Sequence, residues 1–138
     1  MPGFGQSDLV ARIQVAVGIL TNQVGEVLVG QRLVKDDYFQ KWEFPGGKIE
    51  RGETCEQALI RELKEELGIQ VVSCEPLMIL NHDYPDRHVR LHVLLVSDYQ
   101  NKPLGREGQA LRWVALHDLH DLDFLAGNQP IIDRLDAL

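Results

Sequence analysis

The chain is short of cysteine, of long apolar runs and of positive charge, and each shortage removes a class of function. Only Cys55 and Cys74 occur, with no CxxC pair and no metal-ligand spacing. A disulfide scaffold and a cysteine-ligated zinc site are therefore excluded, and two reduced thiols in a reducing compartment are expected. The apolar runs are only a few residues long, far short of a membrane span. Met1–Val10 lacks a basic region followed by an apolar stretch, so no signal peptide is expected and the cytoplasm is the expected location. Fourteen Lys and Arg stand against 21 Asp and Glu, a formal net charge of −7. That balance argues against a nucleic-acid polymer as partner, because binding one needs a basic surface to displace counterions. A small anionic substrate remains open, provided metal ions lie between the two negative partners.

What is present suits one globular domain. Apolar residues make up 44% of the 138 residues and charged residues 25%, enough for one core under an ordinary polar surface. No repeat, low-complexity tract or linker interrupts the chain, so a single domain over 1–138 is expected, with its core at about 13–135 and a monomer as the working unit. Ile13–Leu20 alternates and is rich in Val and Ile, so it predicts a strand; Thr21–Gly25 is a turn and Glu26–Gln31 the returning strand. Val34–Lys41 has no period and predicts a loop. Trp42-Glu43-Phe44 predicts a short strand stopped by Pro45-Gly46-Gly47. After a loop at Ile49–Thr54, a helix is expected from a capping box of Thr54 and Gln57 to a stop at Gly68. Val71–Asn81 and His88–Asp98 predict two strands joined by Tyr84-Pro85-Asp86. Asn101–Gly108 is a polar loop, Ala110–Val114 a short strand, His117–Leu122 a helical turn, and Asn128–Leu135 a closing helix with Pro130 in its first turn. This order implies an α/β fold with a central mixed sheet and helices packed on it.

The first helix carries the chemistry. At about 100° per residue, Leu59, Ile60, Leu63 and Leu67 share one arc that faces the core. Glu62, Glu65 and Glu66 share the neighbouring arc. Like charges three and four residues apart cost roughly 0.2–0.5 kcal/mol per pair, and carboxylates in a C-terminal half oppose the helix dipole. Arg61 offsets part of this, for example through Glu65. A solvated acidic face is the ordinary reading of such a run. A divalent cation would reverse the sign of the cost, and Mg²⁺ prefers hard oxygen ligands.

The surroundings decide between those readings. Gly47-Lys48-Ile49-Glu50-Arg51-Gly52-Glu53, seven further residues, and Arg61-Glu62-Leu63-Lys64-Glu65-Glu66-Leu67-Gly68-Ile69 resemble the Nudix box, G-x5-E-x7-R-E-U-x-E-E-x-G-U, at all nine constrained positions. Val15–Ile19, Trp42–Glu50, Tyr84–His88, Gly105–Gln109 and Asn128–Pro130 look like the MutT branch of that family, the 8-oxo-dGTP diphosphatases. The resemblance implies a Nudix fold, an α/β/α sandwich with the box as loop–helix–loop. It also implies hydrolysis of 8-oxo-dGTP to 8-oxo-dGMP and pyrophosphate by water attacking the β-phosphorus, with Mg²⁺ as cofactor and Mn²⁺ as a substitute.

Carried over by position, the resemblance puts the metal on Glu62, Glu65, Glu66, Glu107 and the Gly46 carbonyl. Glu53, Arg61, Glu62, Glu66 and Glu107 form the catalytic group. Glu53 supports the metal shell or water network and Arg61 orients a box carboxylate. Glu62, Glu53 and Glu107 each remain open as the base. Arg32, Asp37, Glu43, Phe44, Pro45, Gly46, Arg87 and Asn128 are placed around the nucleotide. An amide offers donor and acceptor together, which suits a purine edge; Asn128 also stands where a helix cap would. Asp37 lies where relatives carry a histidine, a departure within Val34–Lys41. Two rivals share these motifs: a Nudix hydrolase of another nucleotide, and a non-catalytic nucleotide-binding module, against which the complete set of box glutamates argues.

Overall fold

The computed structural model describes residues 10–138, so most of the segment on which the absence of a signal peptide was read lies outside the described residues. Eight residues of β1 (Ile13–Leu20) lie at the centre of the molecule. Both faces of this strand pack on apolar clusters, Val17 and Ile19 in one and Ala16 and Leu20 in the other, which is why alternation fades and Ala16 to Leu20 are all buried. On one side β1 runs parallel to β6 (Arg87–Gln100), from Ile13 opposite Val89 to Leu20 opposite Val96. On the other it meets β4 (Gly46–Lys48) antiparallel. The hairpin of β5 (Gln70–Tyr84) with β6 completes a mixed four-stranded sheet in the order β4-β1-β6-β5. A second sheet, with β2 (Val27–Gln31) between β3 (Trp42–Glu43) and β7 (Leu111–Val114), is antiparallel.

Helix α1 (Cys55–Leu67) begins and ends as expected. Thr54 and Gln57 form the capping box, and Gly68 takes the left-handed conformation with φ 72°. Leu59, Leu63 and Leu67 are fully buried and Ile60 packs at the edge of the same cluster, with Ala16, Leu20, Leu28 and Leu94 opposite. The helix lies close because Gly18 carries no side chain: a Cβ there would stand 3.2 Å from the Leu59 and Leu63 methyls. Helix α2 (Gln129–Asp136) covers the other face with Ile131, Ile132 and Leu135, against Val17, Ile19, Val27 and Leu91. The result is the expected α/β/α layering.

Three expectations need correction. The short strand does end before Pro45, but Gly46–Lys48, expected as part of the break, is itself a strand of the other sheet, paired through Val15–Lys48 and Val17–Gly46. The β5–β6 hairpin is longer than its apolar pattern, because a tight turn at Pro85-Asp86 lets Tyr84 pair with Arg87. The strands form two sheets rather than one. No helix among the described residues is long and apolar enough to cross a membrane.

Candidate active site

Arg61 organises the acidic end of α1. Its Nε and terminal nitrogens reach Glu53 at 2.8 and 2.9 Å, Glu62 at 2.8 Å, and the Lys48 carbonyl at 3.1 Å. The contact to Glu65 expected from helical spacing is the longest of its hydrogen bonds, at 3.5 Å. Two hydrogen bonds from Arg61, joined by the Glu50 N–H, hold the Glu53 carboxyl down at about 2. Such a carboxylate is a poor proton acceptor near neutrality. Glu62 moves the other way: burial raises it and Arg61 opposes the rise.

Glu66 is strongly perturbed. Burial, then the charges of Glu43 and Glu107, push its carboxyl up to about 8, against a hydrogen bond donated by the Gly46 N–H at 3.3 Å. Glu43 is itself pushed up by burial although its side chain keeps 36% exposure, with Arg32, 3.7 Å away, acting in the opposite sense. Glu107 reaches this group from the loop before β7. That loop docks on the end of α1: Leu104 N–H donates to the Leu67 carbonyl and Arg106 N–H to the Glu66 carbonyl. Gln109 ties the loop in place by donating to the Glu66 carbonyl at 3.3 Å and accepting the Glu107 N–H at 3.0 Å.

The donor set fits a divalent cation, though not as a closed cage. Among the described residues no group of three or more His, Cys, Asp or Glu side chains is drawn together as a metal site, because Arg61 holds Glu62 and leans on Glu65. Burial, with the like charges of the neighbouring carboxylates added to it, raises Glu62 and Glu66, and that is the imbalance a hard cation removes. Gly47 leaves room for the Glu62 carboxylate: a Cβ there would stand 2.7 Å from Glu62 Oε1 and closer still to the rest of that carboxylate.

Two adjoining hollows open beside these carboxylates. The outer one, about 370 Å³, is lined by Arg32, Glu43, Glu66, Glu107 and Gln109 among others. The inner one, about 330 Å³, shares Arg32 and Glu43 and runs past Gly46, Val15, Leu91, Phe44 and Arg87 to Asn128. Asn128 is 5% exposed and is the one buried polar residue among the described core. It makes no side-chain cap to α2, so the capping alternative falls. Instead its Oδ1 accepts the Phe44 N–H at 3.4 Å. Phe44 is buried and lines the cleft as well. Pro45 is buried and acts through its carbonyl, which accepts the Gly18 N–H at 2.8 Å. Asp37 is a correction: it is exposed and lines neither hollow, while its neighbour Asp36 takes the 2.9 Å ion pair with Arg32.

Gln109, Tyr84 and Tyr38 were not assigned from sequence. The first two lie inside stretches already singled out; Tyr38 lies in an aperiodic loop that carries no signal.

A long mixed sheet with a capped, carboxylate-bearing helix beside a nucleotide-sized cleft defines a class, and the chain belongs to the Nudix family: the NUDIX domain description matches residues 11–135. The 8-oxo-dGTP diphosphatase of Escherichia coli K12 is 42% identical over 92% of this chain and 98% of its own length. That of Haemophilus influenzae is 43% identical over 89% and 90%. A solved MutT structure, from work on the Aliivibrio salmonicida and Vibrio cholerae proteins, superposes with a TM-score of 0.78 at 35% identity, covering 92% of this chain and 98% of its own.

Proposed function

We propose that the chain, acting throughout its length as one Nudix domain, hydrolyses 8-oxo-dGTP to 8-oxo-dGMP and pyrophosphate with Mg²⁺ as its cofactor. The observation that carries this reading is a carboxylate group, Glu66, Glu43 and Glu107, opening directly into a cleft that ends on the buried amide of Asn128, with the Glu62 carboxylate packed against Gly47 of its wall. The acidic end handles a polyphosphate, and the amide end handles a purine edge. The relatives named above support the substrate. A working monomer in the cytoplasm, where the nucleotide pool lies, completes the proposal; both cysteines are free thiols, as that compartment requires.

Glu62, Glu65, Glu66, Glu107 and the Gly46 carbonyl would hold the ion. When bound, it supplies neutralisation of the phosphate charge and acidifies water nearby. The residues do the rest. Arg61 keeps Glu62 turned toward Gly47, and Gln109 keeps Glu107 beside Glu66. A water adds to the β-phosphorus, its proton passes to a carboxylate, and the bond to the oxygen bridging the α- and β-phosphorus breaks. The nucleoside monophosphate leaves with that bridging oxygen and pyrophosphate carries the new one. Of the three candidate bases Glu53 is the weakest, because Arg61 and the Glu50 N–H already occupy it. Glu62 and Glu107 remain.

A panel of 8-oxo-dGTP, dGTP, dCTP, a dinucleoside polyphosphate and ADP-ribose tests the proposal. The expected outcome is a much higher kcat/KM for 8-oxo-dGTP than for dGTP, with pyrophosphate as co-product. Preference for a pyrimidine or dinucleoside substrate would reject this substrate while keeping the Nudix assignment. No turnover of any member with Mg²⁺ or Mn²⁺ would favour a binding module.

A further inference from the structure

We infer that Tyr38 is a positioning and specificity-determining residue for the nucleotide, acting by holding Arg87 at the inner end of the cleft. The inference rests on the proposed reading of that cleft as the base site.

Arg87 lines the inner hollow, yet among the described residues its side chain forms no hydrogen bond and no ion pair, and its buried Nε has no partner. A buried N–H left without a partner is unfavourable. Two aromatic faces compensate. The guanidinium carbon lies 4.9 Å from the Tyr38 ring centre and 5.4 Å from that of Tyr84, inside the range of a cation–π contact. The two rings meet edge to face at 5.2 Å, so the guanidinium is bracketed.

The two brackets differ in how they are held. Tyr84 belongs to β5 and its hydroxyl accepts the Gly127 N–H at 2.9 Å, beside Asn128. Tyr38 comes from the loop between β2 and β3 and crosses to the β5–β6 turn, where its hydroxyl donates to Asp86 at 2.5 Å. That bond pushes the phenol up to about 12, so the donor persists at any working pH. The same ring lies 5.9 Å from the Arg32 guanidinium, where Arg32 joins the inner and outer hollows. Tyr38 therefore closes a chain of contacts from Asp86 through Arg87 and Tyr84 to the backbone carrying Asn128. A cation fixed only by rings keeps its terminal nitrogens free for a ligand acceptor such as a base carbonyl. Preorganisation of that kind strengthens binding of the correct base without touching the phosphates.

The test is a double-mutant cycle on steady-state kinetics at saturating Mg²⁺, with 8-oxo-dGTP and dGTP. Tyr38→Leu is expected to raise KM for 8-oxo-dGTP about tenfold, with kcat within about twofold and the melting temperature nearly unchanged. Tyr38→Phe keeps the ring, loses the Asp86 bond, and restores most of the KM. Arg87→Met raises KM as well, and adding Tyr38→Leu to it costs little more, because the interaction is already gone. Additive losses, an unchanged KM in Tyr38→Leu, or kcat falling as far as kcat/KM would each overturn the inference. Should the wild type prefer another nucleotide, the cycle is run on that one. Coupling there upholds Tyr38 and rejects only the substrate; no coupling rejects Tyr38. Turnover of no nucleotide rejects both.

Discussion

Replacing Gly46 and Gly47 one at a time with alanine separates fold from chemistry at adjacent positions. At Gly47 the nearest atoms the new methyl meets all belong to the Glu62 carboxylate, the far end of a flexible side chain. That end can swing away at the cost of the 2.8 Å bond from Arg61. The stability change is expected to be about 1 kcal/mol or less. Activity is expected to fall on the order of 10²-fold, the effect of misplacing a reacting group by about 1 Å. At Gly46 the methyl runs into the Ala16 carbonyl and stands 3.0 Å from Val17 Cα, in the backbone of the central strand, with φ at +156°. Neither can move without breaking the β1–β4 pairing. Overpacking and backbone strain each cost roughly 1–3 kcal/mol, so Gly46→Ala is expected to lose about 3 kcal/mol and about 10 °C in Tm. Thermal melts of both variants without metal, beside turnover at saturating Mg²⁺, check this. A Gly47→Ala variant that melts as early as Gly46→Ala, or one with wild-type turnover, would refute the reasoning.

Further outcomes follow from the same carboxylates and from the amide. Glu66→Gln should remove most metal-dependent turnover with the fold intact; near-normal activity at saturating Mg²⁺ would reject Glu66 as an essential ligand. Because the folded protein raises Glu66 to about 8, the metal-free protein should lose stability as pH rises from the unfolded value near 4.5 through 8, by on the order of a few kcal/mol. Mg²⁺ or Glu66→Gln should flatten that slope in melts at pH 5.5 and about 8.5. Asn128→Ala should lower kcat/KM for 8-oxo-dGTP by an amount equivalent to ~1–3 kcal/mol while leaving metal binding, read by calorimetry, as in wild type. Arg61→Lys should lower kcat more than it raises KM, since one ammonium cannot bridge Glu53, Glu62 and the Lys48 carbonyl as the guanidinium does.

Local rules made α1 legible. Thr54, Gln57 and Gly68 signal its ends through short-range hydrogen bonds, and the buried arc of Leu59, Leu63 and Leu67 needs only the helical period. The carboxylate face was legible for the same reason. Arg61 was read in part: it holds box carboxylates, Glu53 and Glu62, as the resemblance implied, while the Glu65 partner that spacing suggests is a longer contact and the Lys48 carbonyl is brought in by the fold alone. Gly46–Lys48 was missed because two glycines signal a break. The strand exists because β1 offers an unpaired edge and because only glycine can lie so close to Ala16. Asp36 and Asp37 are indistinguishable in an aperiodic loop, and only the placement of Arg32 chooses between them. The Tyr38 bracket was invisible, since it joins segments 48 residues apart.

The loop that lies on the end of α1 ties two equilibria together. The last carbonyls of a helix ordinarily face water and its final turn frays. Here the carbonyls of Glu66 and Leu67 are taken by Arg106, Leu104 and Gln109. Lifting the loop would bare them and carry Glu107 away; unwinding the turn would displace Glu66 and undo the seat of the loop. Assembly of the carboxylate group and local opening of this corner are thus one cooperative event. Amide protons of Gly68, Leu104 and Arg106 should exchange with a shared opening energy, and a ligand that holds the carboxylates together should slow all three at once.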